Sequence, residues 1–195
     1  MMLRLLSLLM FCLAPALVGC GQPTPQPPAP SPSAKADTLG FVLTSSAFKD
    51  GEAIPVKYTA DGEGISPALA WVGAPAGMRG FALIMDDPDA PGRTFTHWVI
   101  GAIPLKATSL SEGVPKTETV PPSGGLKQGR NGAGEIGYFP PSPPPGKVHH
   151  YVFHLYALDA PVNLAPGATA EELRKAMSGH VLATAELTGT YQRMR

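Results

Sequence analysis

Proline punctuates this chain too often for a helical bundle. Of its 195 residues, 23 are proline and 22 are glycine. Proline removes a backbone donor and clashes with the preceding turn of a helix. A chain so interrupted folds most readily as short strands joined by turns. Apolar residues make up 44% of the sequence, enough for a core, so wholesale disorder is excluded. Fifteen basic residues balance fifteen acidic ones. With no basic field to release counterions, nucleic acid is not an expected partner.

The first 36 residues are a different material. One cation, Arg4, precedes an apolar run from Leu5 to Leu17, too short for a comfortable span and shaped like a signal peptide. The run ends in Leu17-Val18-Gly19-Cys20, which resembles a bacterial lipobox. Residues 1–19 are therefore expected to be a lipoprotein signal, with Cys20 as the lipidated residue. Acyl chains contribute about 0.8 kcal/mol per buried CH₂, so several together anchor stably. Residues 21–36 hold six prolines and no large apolar side chain, and are expected to form a semi-extended tether. At about 3.1 Å per residue it would span roughly 50 Å. The expected location is the cell envelope outside the cytoplasm. Gly21 rather than aspartate after Cys20 favours the periplasmic face of the outer membrane in a host with two membranes. The other cysteine, Cys12, would leave with the signal. The remaining domain, 37–195, would then hold no disulfide, no cysteine nucleophile and no Cys-ligated metal.

From residue 37 the pattern is strands and turns. Expected strands are Leu39–Thr44, Ile54–Thr59, Ala68–Trp71, Gly80–Met85, Thr96–Ile103, Tyr151–Leu158 (starting near His149) and Val181–Thr190. The continuous apolar run 80–85 suits a strand covered on both faces. One segment, Ala168–Met177, has helical character, with Thr169 as cap, early acids and late bases. The fold class is thus mainly β: an antiparallel β-sandwich with one or two short C-terminal helices. The stretch between Thr108 and Val148 is mostly Gly, Pro and polar, and part of it is expected to fold over a site.

Three places carry possible chemistry. The first is Asp86-Asp87-Pro88-Asp89-Ala90-Pro91, where two prolines stiffen a turn at a strand end. The second is His97, opening an apolar strand. The third is His149-His150-Tyr151-Val152-Phe153-His154. Alternation places His149 and Tyr151 on one face, where imidazole and phenol could both donate to one anion. His150 and His154 lie on the other face, about 13 Å apart, too far to share a metal. Structural readings of each, as turn, core histidine and strand edge, stay open on these residues alone.

The order of these pieces resembles the phosphatidylethanolamine-binding protein family (Raf kinase inhibitor protein-like), specifically its bacterial branch. The similarity covers most of the domain: Tyr58-Thr59-Ala60-Asp61-Gly62, Asp86 to Pro91, His97-Trp98-Val99, Gly129-Arg130-Asn131, Gly137-Tyr138, Pro143-Pro144-Pro145-Gly146 and Gly179-His180-Val181-Leu182-Ala183. The resemblance implies a β-sandwich with a small anion pocket near the surface. Carried over by motif, the ligand-binding residues are Asp87, Asp89, His97, His149 and Tyr151, with Pro91 at the rim. The expected ligand is a small anionic or zwitterionic phosphorylated group, such as a phosphoethanolamine-like headgroup, bound without catalysis, cofactor or metal. The two carboxylates would orient the imidazoles or receive an ammonium. The resemblance also brings in a homodimer and, through kinase and protease inhibitors in the family, a protease or another envelope protein as partner. The chain departs from the family pattern twice: His150 stands where arginine is common, and Phe139-Pro140-Pro141-Ser142 replaces a glycine-rich stretch. A hydrolase using the Asp/His pocket is the rival reading. The sequence has no G-x-S-x-G elbow, phosphate-binding glycine loop or H-E-x-x-H motif.

Overall fold

A computed structural model describes residues 40–121, 125–162, 164–165 and 167–194. The expected signal peptide, Cys20 and tether lie outside the described residues. In chain order the elements are β1 (Val42–Ser45), β2 (Leu69–Val72), β3 (Gly80–Asp87), β4 (Phe95–Ile103), β5 (Ser109–Leu110), β6 (Thr119–Val120), β7 (Leu126–Lys127), β8 (Val148–Leu158), α1 (Ala170–Met177) and β9 (Val181–Gln192). The larger sheet runs β4-β3-β8-β9 and the smaller β1-β2-β5, all pairs antiparallel; β6 and β7 form a short hairpin. The mainly β architecture matches the sequence reading, with a single helix among the described residues.

Strand β3 sits centrally and is buried along its whole length. Its odd positions, Phe81, Leu83 and Met85, join the core between the sheets. Phe81 meets Phe41 and Trp71 there, at 6.1 and 5.4 Å between ring centroids. Its even positions, Ala82 and Ile84, face the other way and are covered by α1 through Leu173 and Met177. The helix starts on a reciprocal cap: Thr169 accepts from the Glu172 backbone, and the Glu172 carboxylate accepts from Thr169 N. Burying Leu173 there contributes about 1.5–3 kcal/mol. In β8 the alternation is clean: His149, Tyr151, Phe153 and Leu155 point inward, while His150, Val152, His154 and Tyr156 stay more exposed.

One expected strand is absent. Ile54–Thr59 enters beside β9, where Ile54 N donates to Thr190 O, and then coils into a 3₁₀ turn at Val56–Tyr58. Pro55 has no N–H for a ladder. Gly62 then approaches the Val56 carbonyl so closely that a Cβ would lie 2.2 Å from its oxygen. The chain folds on itself instead of extending.

The stretch after Thr108 is ordered where described, and it seals the open edge of β4. Gly129 N donates to Val99 O, Gly132 N to Thr96 O, and Phe139 N to His97 O. An edge strand is thereby paired rather than left to aggregate. The interlock is tight: a Cβ on Gly129 would sit 2.1 Å from Ala168 O.

Candidate functional site

The site forms where β3, β4 and β8 end together. Asp87 is the last residue of β3 and faces inward. Its Oδ2 accepts from His149 Nδ1 at 2.7 Å, and both side chains are almost fully buried. Its Oδ1 accepts from Asp89 N at 2.8 Å, closing the proline-stiffened turn. Both carboxylate oxygens are thus engaged within the protein, and Asp87 orients the His149 ring.

His97 reaches this face through an irregularity. Strict alternation from the inward Trp98 would turn His97 outward. The β3–β4 register instead slips between Met85, paired with Trp98, and Asp86, paired with Thr96. The extra residue is His97, and the bulge re-aims its ring inward. There it meets Tyr151 edge-on at 5.1 Å, Phe95 at 4.8 Å and Phe139 at 5.9 Å between centroids. His97 Nδ1 donates to Phe139 O at 2.8 Å. Burial holds the His97 pKa below its ordinary value, against the opposing pull of the Phe139 carbonyl and of Asp87 and Asp86. His97 is therefore neutral near pH 7, with a lone pair at Nε2.

Tyr151 is fully buried, and its hydroxyl has no hydrogen-bond partner in the protein. Burial, reinforced by the Asp87 charge, pushes its pKa well above the usual phenol value. A buried hydroxyl is normally satisfied. This one carries a proton and nowhere to place it, beside two histidines.

Four of the six expected residues, Asp87, His97, His149 and Tyr151, therefore converge. Asp89 stands one step outside. Its Oδ2 accepts from both His150 N and His150 Nδ1, at 2.8 and 2.7 Å. Those hydrogen bonds hold its pKa below the usual carboxylate range. The pair is half-exposed, so it ties the turn to β8 with little energy of its own. His150, at the first departure from the family pattern, is thus this chain's clamp on the turn. Pro91 lies exposed in that turn. At the second departure, Pro140 and Pro141 have no N–H, and the Phe139 N–H is taken by His97 O. Residues 139–141 therefore have no free backbone N–H to offer a ligand.

Sequence reasoning missed three supports. Gln128 is fully buried, accepts from Trp98 Nε1 at 2.7 Å and donates to the Pro115 and Thr117 carbonyls. Asp86, turned to the opposite face, accepts from Thr96 Oγ1 at 2.7 Å and pairs with Arg174 of α1. Asp61, in the Tyr-Thr-Ala-Asp-Gly motif, binds Tyr191 and Arg193 at the chain's end. Continuing the period-two pattern past Thr190 would have exposed the last of these.

Known proteins share this arrangement of sheets. The family model described as phosphatidylethanolamine-binding protein matches residues 44–192. A UPF0098 protein of Methanothermobacter thermautotrophicus is 50% identical over 151 residues, 77% of this chain and 98% of its own. A Mycobacterium tuberculosis protein whose name proposes a lipoprotein, LppC, is 35% identical over 192 residues, 92% of each chain. Among solved structures, Escherichia coli YbcL is described as a new member of the mammalian PEBP family. It has a TM-score of 0.74 and 31% identity, covering 79% of this chain and 99% of that one. On the sheet order, the convergent Asp87–His97–His149–Tyr151 group and a family match over most of its length, this chain belongs to the phosphatidylethanolamine-binding protein family.

Proposed function

We propose that the Asp87–His97–His149–Tyr151 group binds a small phosphorylated anion reversibly, without chemistry, on a domain tethered to the envelope by lipidated Cys20. The observation that carries this reading is the buried, partnerless Tyr151 hydroxyl beside two oriented imidazoles. An anion oxygen is the acceptor that this hydroxyl lacks. Asp87 does not repel it strongly, because His149 and the turn backbone already occupy both of its oxygens. The envelope tether draws support from the LppC relative. That match covers more of the chain than residues 40–195 contain, and so extends into the N-terminal segment. A domain so placed would meet envelope proteins or a second copy of itself rather than cytosolic kinases.

Tyr151→Phe separates stability from binding. It removes an unsatisfied buried group, so the unliganded protein is expected to gain about 1 kcal/mol in urea unfolding. Phosphate affinity should fall severalfold in the same variant. A loss of stability would mean that the hydroxyl is already satisfied, and the site reading would lose its main support.

The direct test is a titration of the full-length chain in detergent, with phosphoethanolamine and inorganic phosphate, followed by NMR. Shifts localised at His97, His149 and Tyr151, without phosphoester turnover, are expected. Sulfate adds a pH arm, since its own charge is constant near neutrality. Neutral His97 offers only a lone pair at Nε2, so anion binding there takes up a proton. Sulfate affinity should rise as pH falls from about 7.5 to 5.5, by at most about tenfold per unit, and His97→Gln should flatten the slope. The sign for the unliganded fold is opposite. A histidine with a depressed folded pKa stabilises above its unfolded value near 6.5, and that contribution is lost as pH drops. Affinity that is flat or rises with pH would remove His97 from the ligand shell.

A further inference from the structure

The site just proposed lacks a permanent cation. Asp87, His97, His149 and Tyr151 include no lysine or arginine, and burial disfavours the charged form of His97. We infer that Arg193 supplies that cation, with Asp61 as the counter-ion that the ligand displaces. This rests on the anion-binding reading and names its charged recognition residue.

The placement follows from β-sheet register. His149 pairs with Tyr191 across β8 and β9, and Tyr151 pairs with Gly189. Tyr191 packs against the inner core, so it shares the face of His149 and Tyr151. Arg193 follows directly after the end of β9, and its guanidinium reaches the same Asp61 carboxylate that Tyr191 holds. His149 pairs with Tyr191, so Arg193 stands two residues along from it, about 7–8 Å and within the reach of an arginine, whereas Tyr151 is two residues further. Backbone pairing holds it there: Gly146 N donates to Arg193 O at 3.2 Å. Both Tyr191 and Arg193 turn to one acceptor. Tyr191 Oη donates to Asp61 Oδ2 at 2.7 Å. The guanidinium grips the same carboxylate, with Nη2 2.7 Å from Oδ1 and Nε 3.0 and 2.9 Å from the two oxygens. The Arg193 charge also acts on the Tyr151 hydroxyl.

This grip is geometrically good but partly open to water, with side-chain exposures of 29% for Arg193 and 36% for Asp61. A pair open to water costs less to separate than a buried one, because each ion is rehydrated on release. A phosphate offers the same planar fork of acceptors as the carboxylate, with more charge. An incoming dianion therefore competes with Asp61 for Arg193, and the cost of leaving Asp61 is small.

The test exploits sign. Phosphate binding to the full-length chain in detergent is measured by calorimetry for wild type, Arg193→Gln and Asp61→Asn. Arg193→Gln is expected to weaken binding about tenfold, the effect of losing one charge-assisted contact. Asp61→Asn is expected to tighten it a few-fold, because the guanidinium no longer has to be released. Urea midpoints should fall similarly in both, since each breaks the same pair. A purely structural brace would make both variants bind more weakly, or leave both unchanged, and either result overturns the assignment. Wild-type protein that fails to bind phosphate at all would instead overturn the anion-site reading itself.

Discussion

Replacing His149 with alanine is expected to lower the unfolding free energy by about 3–5 kcal/mol, because it strands a buried carboxylate. Asp87 and His149 are both almost fully buried and joined at 2.7 Å. Without the imidazole, Asp87 keeps only the Asp89 backbone N–H on its other oxygen. It must then hold a charge in a water-poor site or take up a proton there. Either costs free energy that the native pair offsets. The second half of the prediction isolates the cause. Adding Asp87→Asn to His149→Ala removes the charge and should recover about 1–2 kcal/mol, since a neutral amide is easier to bury than an unpaired anion. Urea unfolding of the four members of the cycle measures this directly. If the double variant is no more stable than His149→Ala, the loss comes from packing and not from a stranded charge. On the proposed anion-binding reading, ligand binding should vanish in both, because His149 is one of the proposed contacts.

The second large effect belongs to Gln128, a residue outside the proposed binding group. Gln128→Ala is expected to destabilise by about 1–3 kcal/mol, chiefly because the buried Trp98 Nε1 loses its acceptor, while the Pro115 and Thr117 carbonyls lie on exposed residues and Pro115 O keeps the Thr117 N–H. Gln128 binds Trp98 Nε1 on one side and the Pro115 and Thr117 carbonyls on the other. It joins the edge strand to the long loop that covers it. Trp98 is the residue directly after the His97 bulge, and Phe139, the acceptor for His97, lies on the same loop. The variant should therefore also loosen the His97–Phe139 bond, which shows as a weaker pH slope of anion binding. Gln128→Glu keeps the volume but turns two donors into an acceptor facing two carbonyls, and should be no more stable than alanine. A change below about 0.5 kcal/mol in the alanine variant would place the loop's anchor elsewhere, within the range of ordinary surface substitutions.

The Gln128 result bears on how a loop-rich chain specifies a site. Between Thr108 and Val148 the sequence offers Gly, Pro and polar residues, and no periodicity signals a role for any one of them. Gln128 acts only because the loop returns to β4, and that return depends on glycines thin enough to pass. Gly132 shows the limit: a Cβ would lie 2.7 Å from the Phe95 ring, which itself packs on His97. Composition marked this stretch as loop, and tertiary pairing made it a wall of the site.

Sequence alone determined what depends on a few neighbouring residues. The period of two in β8 set His149 and Tyr151 on one face, because successive side chains on a strand must alternate. The apolar run of β3 announced burial on both faces, and the Thr169 cap with its flanking charges announced α1. The turn from Asp86 to Pro91 was rigid by its prolines. Tertiary structure decided everything that hangs on a distant partner. His97 faces inward only because β3 pairs with β4 one residue out of step. Ile54–Thr59 coils instead of extending because β9 takes only its first residues and Gly62 lets the chain close on itself. Asp87 finds His149 across 62 residues, and Asp61 finds Tyr191 across 130. Local alternation is fixed by covalent geometry, whereas register and partner choice are fixed by which strands bury which faces against each other.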